Sequence, residues 1–207
     1  LKLLSVAFTG IDHIAMDACK ANGVIVCNCA GYSTAAVSDL VFGMLIMFYR
    51  NLAACDAATR REGTKDGLIG CELEGKKFGV VGTGAIGMNV ARIAAAFGCE
   101  VLAYSRTKGL ISAEKIALMK PNAVLINTAR GPVLDSQALA DALNNDKIAG
   151  ACIDVFETEP PIAKTHPLVN AKHTILTPHV AFASKEAMVK RAIIVFDNVV
   201  KYLNGTP

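Results

Sequence analysis

The feature that most constrains this chain is the run Phe78-Gly79-Val80-Val81-Gly82-Thr83-Gly84-Ala85-Ile86-Gly87. A short apolar stretch, 78–81, reads as a buried strand and meets G-x-G-x-x-G at Gly82, Gly84 and Gly87. Beyond it Ile86, Val90, Ile93 and Phe97 recur at intervals of four and three, the period of a helix, and Gly98 supplies a stop. A second strand, 100–104, follows at once. Strand, glycine turn, helix and strand make one βαβ unit, the context in which three spaced glycines become a dinucleotide fingerprint. Gly82 permits the tight turn, Gly84 lets the backbone approach a pyrophosphate, and Gly87 lets helix and strand pack closely. The helix start, Ala85 and Ile86 included, offers N–H groups and a positive dipole end to phosphates.

Other function classes are poorly supported. A chain of 207 residues suggests one or two domains with ample apolar content for a core. The formal charge of +3 points neither to nucleic acid nor to a membrane surface. Seven cysteines, odd in number and scattered, make no disulfide framework. Cys27-x-Cys29 lacks a second Cys or His pair at ligand spacing, so no metal site is expected. Reduced thiols and the lack of a visible signal peptide suggest a cytoplasmic protein. The greasiest run, 40–49, is far shorter than the ~20 residues a membrane span needs. It reads as a buried helix, apolar nearly all round from Val37 to Tyr49, with the second subunit of a homodimer as its expected cover.

Residues 1–8 begin mid-strand with no initiator Met, so an N-terminal part is expected to precede them. A helix at 14–20 and a strand at 24–27 follow. Gly31-Tyr32-Ser33-Thr34 opens the long apolar helix, and 56–66 reads as its exposed continuation and a surface loop. After Tyr104 the alternation breaks. Only 105–109 separate the second strand from a helix at 112–119, and the next strand, 123–127, would lie beyond the point where a doubly wound sheet reverses. Those few residues reach at most ~18 Å, little room for a crossover. An internal segment is therefore expected to be missing between 107 and 108, and a Thr107–Lys108 Cα separation near ~3.8 Å would refute this. Further on, Asp135 can cap a helix with Leu139 and Leu143 inward, and strands are expected at 148–155 and 175–177. Ser184 can cap a final helix with Met188, Ala192, Val195, Val199 and Tyr202 on one face, closed by Gly205.

Three ionisable residues stand just past expected strand ends, on the edge where open α/β sheets bind ligands: Arg130, Glu159 and His179. A fixed guanidinium can hold a carboxylate bidentately. A His exchanges protons near neutral pH, and a Glu beside it can orient the ring. Singly, each has a plain structural explanation: a surface ion pair, a solvated charge, a hydrogen-bonded structural imidazole. Sharing one sheet edge with a nucleotide fingerprint favours the functional one. The other histidines lack that placement: His13 and His173 sit near helix or loop starts, and His166 lies in a polar loop.

These stretches resemble the D-isomer-specific 2-hydroxyacid dehydrogenase family. The likeness runs from Val6-Ala7-Phe8-Thr9-Gly10-Ile11-Asp12-His13 through the glycine motif and Leu118-Met119-Lys120-Pro121 into Asn127-Thr128-Ala129-Arg130-Gly131. It continues in Asp154-Val155-Phe156-Glu157-Thr158-Glu159-Pro160 and Thr177-Pro178-His179. Cys27 to Thr34 looks most like the glycerate and hydroxypyruvate branch. The resemblance implies an α/β fold, a Rossmann-type doubly wound parallel sheet over 31–182. Part of a flavodoxin-like substrate domain would be supplied by 1–30 and by the returning helix at 183–207. It implies a catalytic group of Arg130, Glu159 and His179. His179 would exchange a proton with the keto oxygen, Glu159 would hold the imidazole, and Arg130 would bind the substrate carboxylate. Backbone N–H groups at Thr9 and Gly10 would help grip that carboxylate, and Thr128, Ala129 and Asp154 would line the nicotinamide ring. The nucleotide would do the hydride chemistry. Two departures stand out: the family's additional N-terminal substrate-domain stretch and its additional chain near 107–108 are both missing.

Nucleotide choice rests on the end of the second strand, where NAD enzymes place an acid that bonds the ribose hydroxyls. Here stand Ser105, Arg106 and Thr107, with no carboxylate to repel a 2′-phosphate and an Arg able to pair with one. The expectation is NAD(P) binding with NADP(H) favoured over NAD(H). The expected partner is a small 2-keto or 2-hydroxy acid. The alternative on the same fold is a nucleotide-sensing, corepressor-like binding protein.

Overall fold

In the computed structural model, which describes residues 1–104 and 111–206, the apolar runs become short parallel strands and the longer amphipathic runs become helices. The order is β1 (Leu3–Ser5), α1 (Met16–Ala21), β2 (Ile25–Cys27), α2 (Thr34–Tyr49), α3 (Leu52–Thr59), β3 (Lys77–Val81) and α4 (Ala85–Ala96). Then come β4 (Glu100–Tyr104), α5 (Ala113–Ala117), β5 (Val124–Asn127), α6 (Ser136–Asn144), β6 (Gly150–Ile153), β7 (Thr174–Leu176) and α7 (Lys185–Leu203). Every strand pairing is parallel: β1 with β2, β3 with β4, and β5–β6–β7 side by side. Parallel pairs need crossovers, and α4 and α6 supply two of them. Among the described residues no ladder joins β3 to β5, so the parallel sheet comes as two hydrogen-bonded pieces. The expected junction at 107–108 lies outside the described residues.

The chain divides into two compact units, Leu1–Ala36 with Phe182–Pro207, and Val37–Ala181. In the first, β1 pairs with β2, α7 lies against β1 and α1 against β2, while Cys29, Tyr32 and Ala187 form the buried cluster with residues of α7. Ser184 caps α7, its Oγ accepting from the Ala187 N–H at 3.0 Å. The inward stripe of α7 is rotated from the expected one: Ala187, Met188, Ile194 and Val195 pack inward, while Ala192 is exposed. Val189, Ile193, Phe196, Val200 and Leu203 are exposed as well, so apolar residues stand on both faces of the helix. Periodicity alone could not choose between those faces.

In the second unit α2 is a largely buried helix. Most of its apolar surface is covered by its own chain. Val41 and Phe42 pack with Val80, Val90 and Ala94, and the Phe42 ring stacks on Phe78 at 5.7 Å and on Phe97 at 5.3 Å. Farther along, the Phe48 ring occupies the place a Cβ on Gly150 would take, which is why β6 opens on glycine. What stays exposed is the strip Asp39, Gly43 and Met47, one residue per turn. Nor does α2 continue straight on: Asn51 adopts a left-handed backbone (φ 52°), and α3 starts afresh after a 56° bend. Taken singly, no helix among the described residues is long and apolar enough to cross a membrane.

Leu139, Leu143, Ile148, Ile153 and Leu168 form the fully buried centre over the β5–β6–β7 sheet. As the spacing predicts, Asp135 caps α6, its carboxylate accepting from the Ala138 N–H at 2.9 Å. All of β6 is buried, and burial pushes the Cys152 thiol up to about 12. The unfolded chain would ionise that thiol near 9.0. Below that pH both states keep the proton; above it the unfolded state loses the proton first. Stability is therefore expected to fall as pH rises between these values, by about 1.4 kcal/mol per pH unit from this group. Urea unfolding of Cys152→Ala against the parent across that range checks it: the variant should lack this part of the alkaline slope.

Candidate active site

The sheet itself assembles the site. Asn127 pairs with Ile153 and Ile153 with Leu176, so β5, β6 and β7 end level and release their chains at one edge. Arg130, Glu159 and His179 follow those three ends. Two of these departures are shaped by a buried polar side chain. Asn127, buried, accepts from the Ala129 N–H at 3.1 Å and donates to the Arg130 carbonyl at 2.9 Å, folding Thr128–Ala129–Arg130 into a tight turn. Arg130 is exposed, and its Nη1 donates to the Ala129 carbonyl at 2.8 Å. Directly after it, a Cβ on Gly131 would overlap the Phe156 carbonyl, so the Arg130 turn lies flat on the Phe156–Glu157 peptide.

Asp154 organises the third turn. Its side chain is fully buried and accepts three hydrogen bonds: Thr177 Oγ1 at 2.6 Å, the Val180 N–H at 2.9 Å and the Ala181 N–H at 3.0 Å. The His179 N–H donates to the Asp154 carbonyl at 2.8 Å and lies 3.0 Å from the Thr177 carbonyl, holding His179 at φ 53°. A non-glycine residue there is strained unless its surroundings fix it. With the backbone so held, His179 Nδ1 lies 2.8 Å from Glu159 Oε2. The His179 side chain is 28% exposed and that of Glu159 77%, so the pair sits at the rim. Nδ1–H donating to the carboxylate leaves Nε2 as the nitrogen for proton exchange with a ligand.

The glycine motif adopts the expected geometry. Gly82 has φ 100°, a backbone that side-chain-bearing residues avoid. Gly84 is the N-cap of α4 and gives it no side-chain cap, leaving the first-turn N–H groups of Ala85, Ile86 and Gly87 for a ligand. A Cβ on Gly84 would stand in open space, whereas one on Gly87 would strike the Gly82 carbonyl. Close strand–helix packing beneath an open helix N-terminus fits a pyrophosphate. Ser105, Arg106 and Thr107 lie outside the described residues. Thr9 and Gly10 belong to the other unit, in a loop tied by Asn28 Nδ2 donating to the Thr9 carbonyl at 2.9 Å and by Thr9 Oγ1 donating to the Cys29 carbonyl at 3.3 Å. No group of three His, Cys, Asp or Glu residues among the described ones could hold a metal ion.

Two features escape a sequence reading that looks only for chemistry at strand ends. Asn127 is one, although an Asn beginning a turn is itself a signal. The other is His166, which is only 14% exposed at its side chain and pairs with Glu157 at 2.9 Å.

Comparison with known proteins places this geometry. The family model "D-isomer specific 2-hydroxyacid dehydrogenase, NAD binding domain" matches residues 42–108 and 105–181. The chain belongs to that family. The D-3-phosphoglycerate dehydrogenase of Methanocaldococcus jannaschii is 33% identical over 243 aligned positions, covering 99% of this chain and 46% of that enzyme. The chain thus spans about half the length of such curated relatives (46%). Among solved structures, an acyclic imino acid reductase in complex with NADPH and D-Arg superimposes with a TM-score of 0.89 at 29% identity, covering 100% of this chain and 77% of that one. The D-lactate dehydrogenase of Aquifex aeolicus, complexed with NAD and lactic acid, gives 0.87 at 28%, with the same coverage. The fold is accordingly a Rossmann-type α/β fold.

Proposed function

We propose that this chain carries the nucleotide-binding and proton-transferring part of an oxidoreductase. It would move a hydride between a nicotinamide nucleotide and a small 2-keto acid, giving the D-2-hydroxy acid. Hydroxypyruvate, glyoxylate and 3-phosphoglycerate define the substrate type. The observation that carries this reading is the 2.8 Å contact of His179 Nδ1 with Glu159 at the edge where the Arg130 turn also emerges. A proton donor there needs a fixed tautomer, and the carboxylate supplies it.

A bound nicotinamide supplies the hydride. Arg130 binds the substrate carboxylate and polarises the adjoining carbonyl. His179 Nε2 gives its proton to the keto oxygen as that oxygen gains charge, and takes it back in the reverse direction. Glu159 steadies the imidazole through both. Thr128, Ala129 and Asp154 stand at the nicotinamide end, and Gly82, Gly84, Ala85, Ile86 and Gly87 at the pyrophosphate. With Ser105, Arg106 and Thr107 following β4, NADP(H) is proposed over NAD(H), Arg106 pairing with the 2′-phosphate. The relatives named above are enzymes, so a nucleotide-sensing binding protein is not favoured.

The proposal includes a missing segment between 107 and 108. The family match breaks into two stretches there, and the alignment spreads this chain over 243 positions. It also includes a cytoplasmic protein that works on a small molecule rather than on nucleic acid or a membrane, and a homodimer. For the homodimer, the exposed strip of α2 is the remaining support. A panel of 2-keto acids assayed with both reduced nucleotides tests the reaction and the nucleotide together. NADPH-dependent consumption of hydroxypyruvate or glyoxylate is expected, and a clear NADH preference would overturn the NADP(H) choice.

A further inference from the structure

Glu159 presents a problem of placement. It must meet His179 to within a few tenths of an ångström, yet its side chain is mostly solvent-exposed and its loop leaves the sheet after β6. What fixes that loop lies two residues earlier. The Phe156–Glu157 peptide is pressed against Gly131, where no side chain fits. The Ser136 hydroxyl at the start of α6 helps hold the Glu157 carboxyl below the usual carboxylate range, and the Glu157 Oε2 lies 2.9 Å from His166 Nε2. The His166 Nδ1 accepts from the Leu168 N–H at 3.3 Å, so the hydrogen is on Nε2 and is donated to Glu157. The ring stands edge-on to Phe156, centroids 5.2 Å apart, and Leu168 is fully buried in the core. Burial alone would push the Glu157 carboxyl up, but Ser136 and His166 together outweigh that.

Resting on the dehydrogenase reading, we propose that Glu157 and His166 are positioning residues. They close the segment between them into a clamped loop that sets Glu159 against His179. Neither touches the reacting atoms. Their contribution passes through Glu159, because the clamp ties the residue two before it to α6 and to the turn at Pro167–Asn170.

The test uses the full-length protein and four single variants, Glu157→Ala, His166→Ala, Glu157→Gln and His166→Gln, with Glu159→Ala as a background. Each alanine variant is expected to lower kcat for the best 2-keto acid by about tenfold to a hundredfold, the scale of a misplaced catalytic group. Nucleotide Kd should stay within about twofold, since the glycine motif is elsewhere. The Gln variants retain a donor or acceptor at the same reach and should recover most of the loss. Because members of one unit are not additive, the double alanine variant should be little worse than either single one. In the Glu159→Ala background, His166→Ala should change kcat less than about twofold. An undiminished kcat in the alanine variants would overturn the clamp. An undiminished penalty in the Glu159→Ala background would also overturn it, since the effect would then be purely structural. Should the unaltered full-length protein turn over no 2-keto acid, the dehydrogenase reading fails on its own. The clamp is then read from the His179 Nδ1–H resonance, which the alanine variants should broaden or shift and the Gln variants restore; no change in it would overturn the proposal.

Discussion

Replacing His179 by alanine is expected to lower kcat/KM for the preferred 2-keto acid by about 10²–10⁴-fold, the range that a positioned general acid contributes. The loss should appear mainly in kcat. Arg130 and the glycine motif, which bind carboxylate and nucleotide in the proposed scheme, do not hang from the imidazole. The fold should survive. The turn at 177–181 is held by backbone donors and by Asp154, not by the ring, whose hydrogen bond to Glu159 is at the solvent-exposed rim. Steady-state kinetics alongside thermal unfolding separate the two effects. A variant that keeps wild-type turnover would sink the assignment of His179 as the proton donor, whatever the family relationship.

The second large effect concerns stability. Asp154→Ala removes one buried carboxylate and strands three donors at once: the Thr177 hydroxyl and the N–H groups of Val180 and Ala181. Each unsatisfied buried group costs about 1–3 kcal/mol, less whatever the turn recovers by opening to water. A net loss of about 3–5 kcal/mol is a large share of the ~5–15 kcal/mol that holds an ordinary domain folded. Activity should disappear with it, because the opened turn releases His179. Asp154→Asn should also destabilise, since its amide NH₂ would face N–H donors where the carboxylate had an oxygen. Urea midpoints with an unchanged m-value are the measurement. A shift under about 1 kcal/mol for the alanine variant would contradict the hydrogen-bond pattern described here.

Much of this was legible in the residues because the signals are local. The glycine spacing, the four–three apolar recurrence after it and the caps Asp135 and Ser184 each involve neighbours within a few positions. Arg130, Glu159 and His179 could be picked out because strand ends are easy to find and parallel strands end together. The features left open depend on what packs against them. The cover of α2 is Phe78, Val80, Phe97 and Gly150, all distant in sequence, and nothing in an apolar helix says whether its own chain or another will cover it. For α7 apolar residues on both faces left the inward stripe undetermined. His166 reads as one more polar residue in a polar loop, because its partners, Glu157 and the Leu168 N–H, matter only once the loop has closed.

Level strand ends also make the sheet a ruler. The β5–β6–β7 register places Asn127, Ile153 and Leu176 abreast, and every group of the site is counted from that line. One residue inserted into 150–153 would turn Asp154 through the sheet to the opposite face and carry the Glu159 loop out of step with its neighbours. The same residue inserted at 61–66, where every residue is exposed, would only lengthen a surface excursion. Changes of length should therefore be harmless or ruinous according to whether they fall in an exposed loop or among the strands and held turns that carry this line, with little in between.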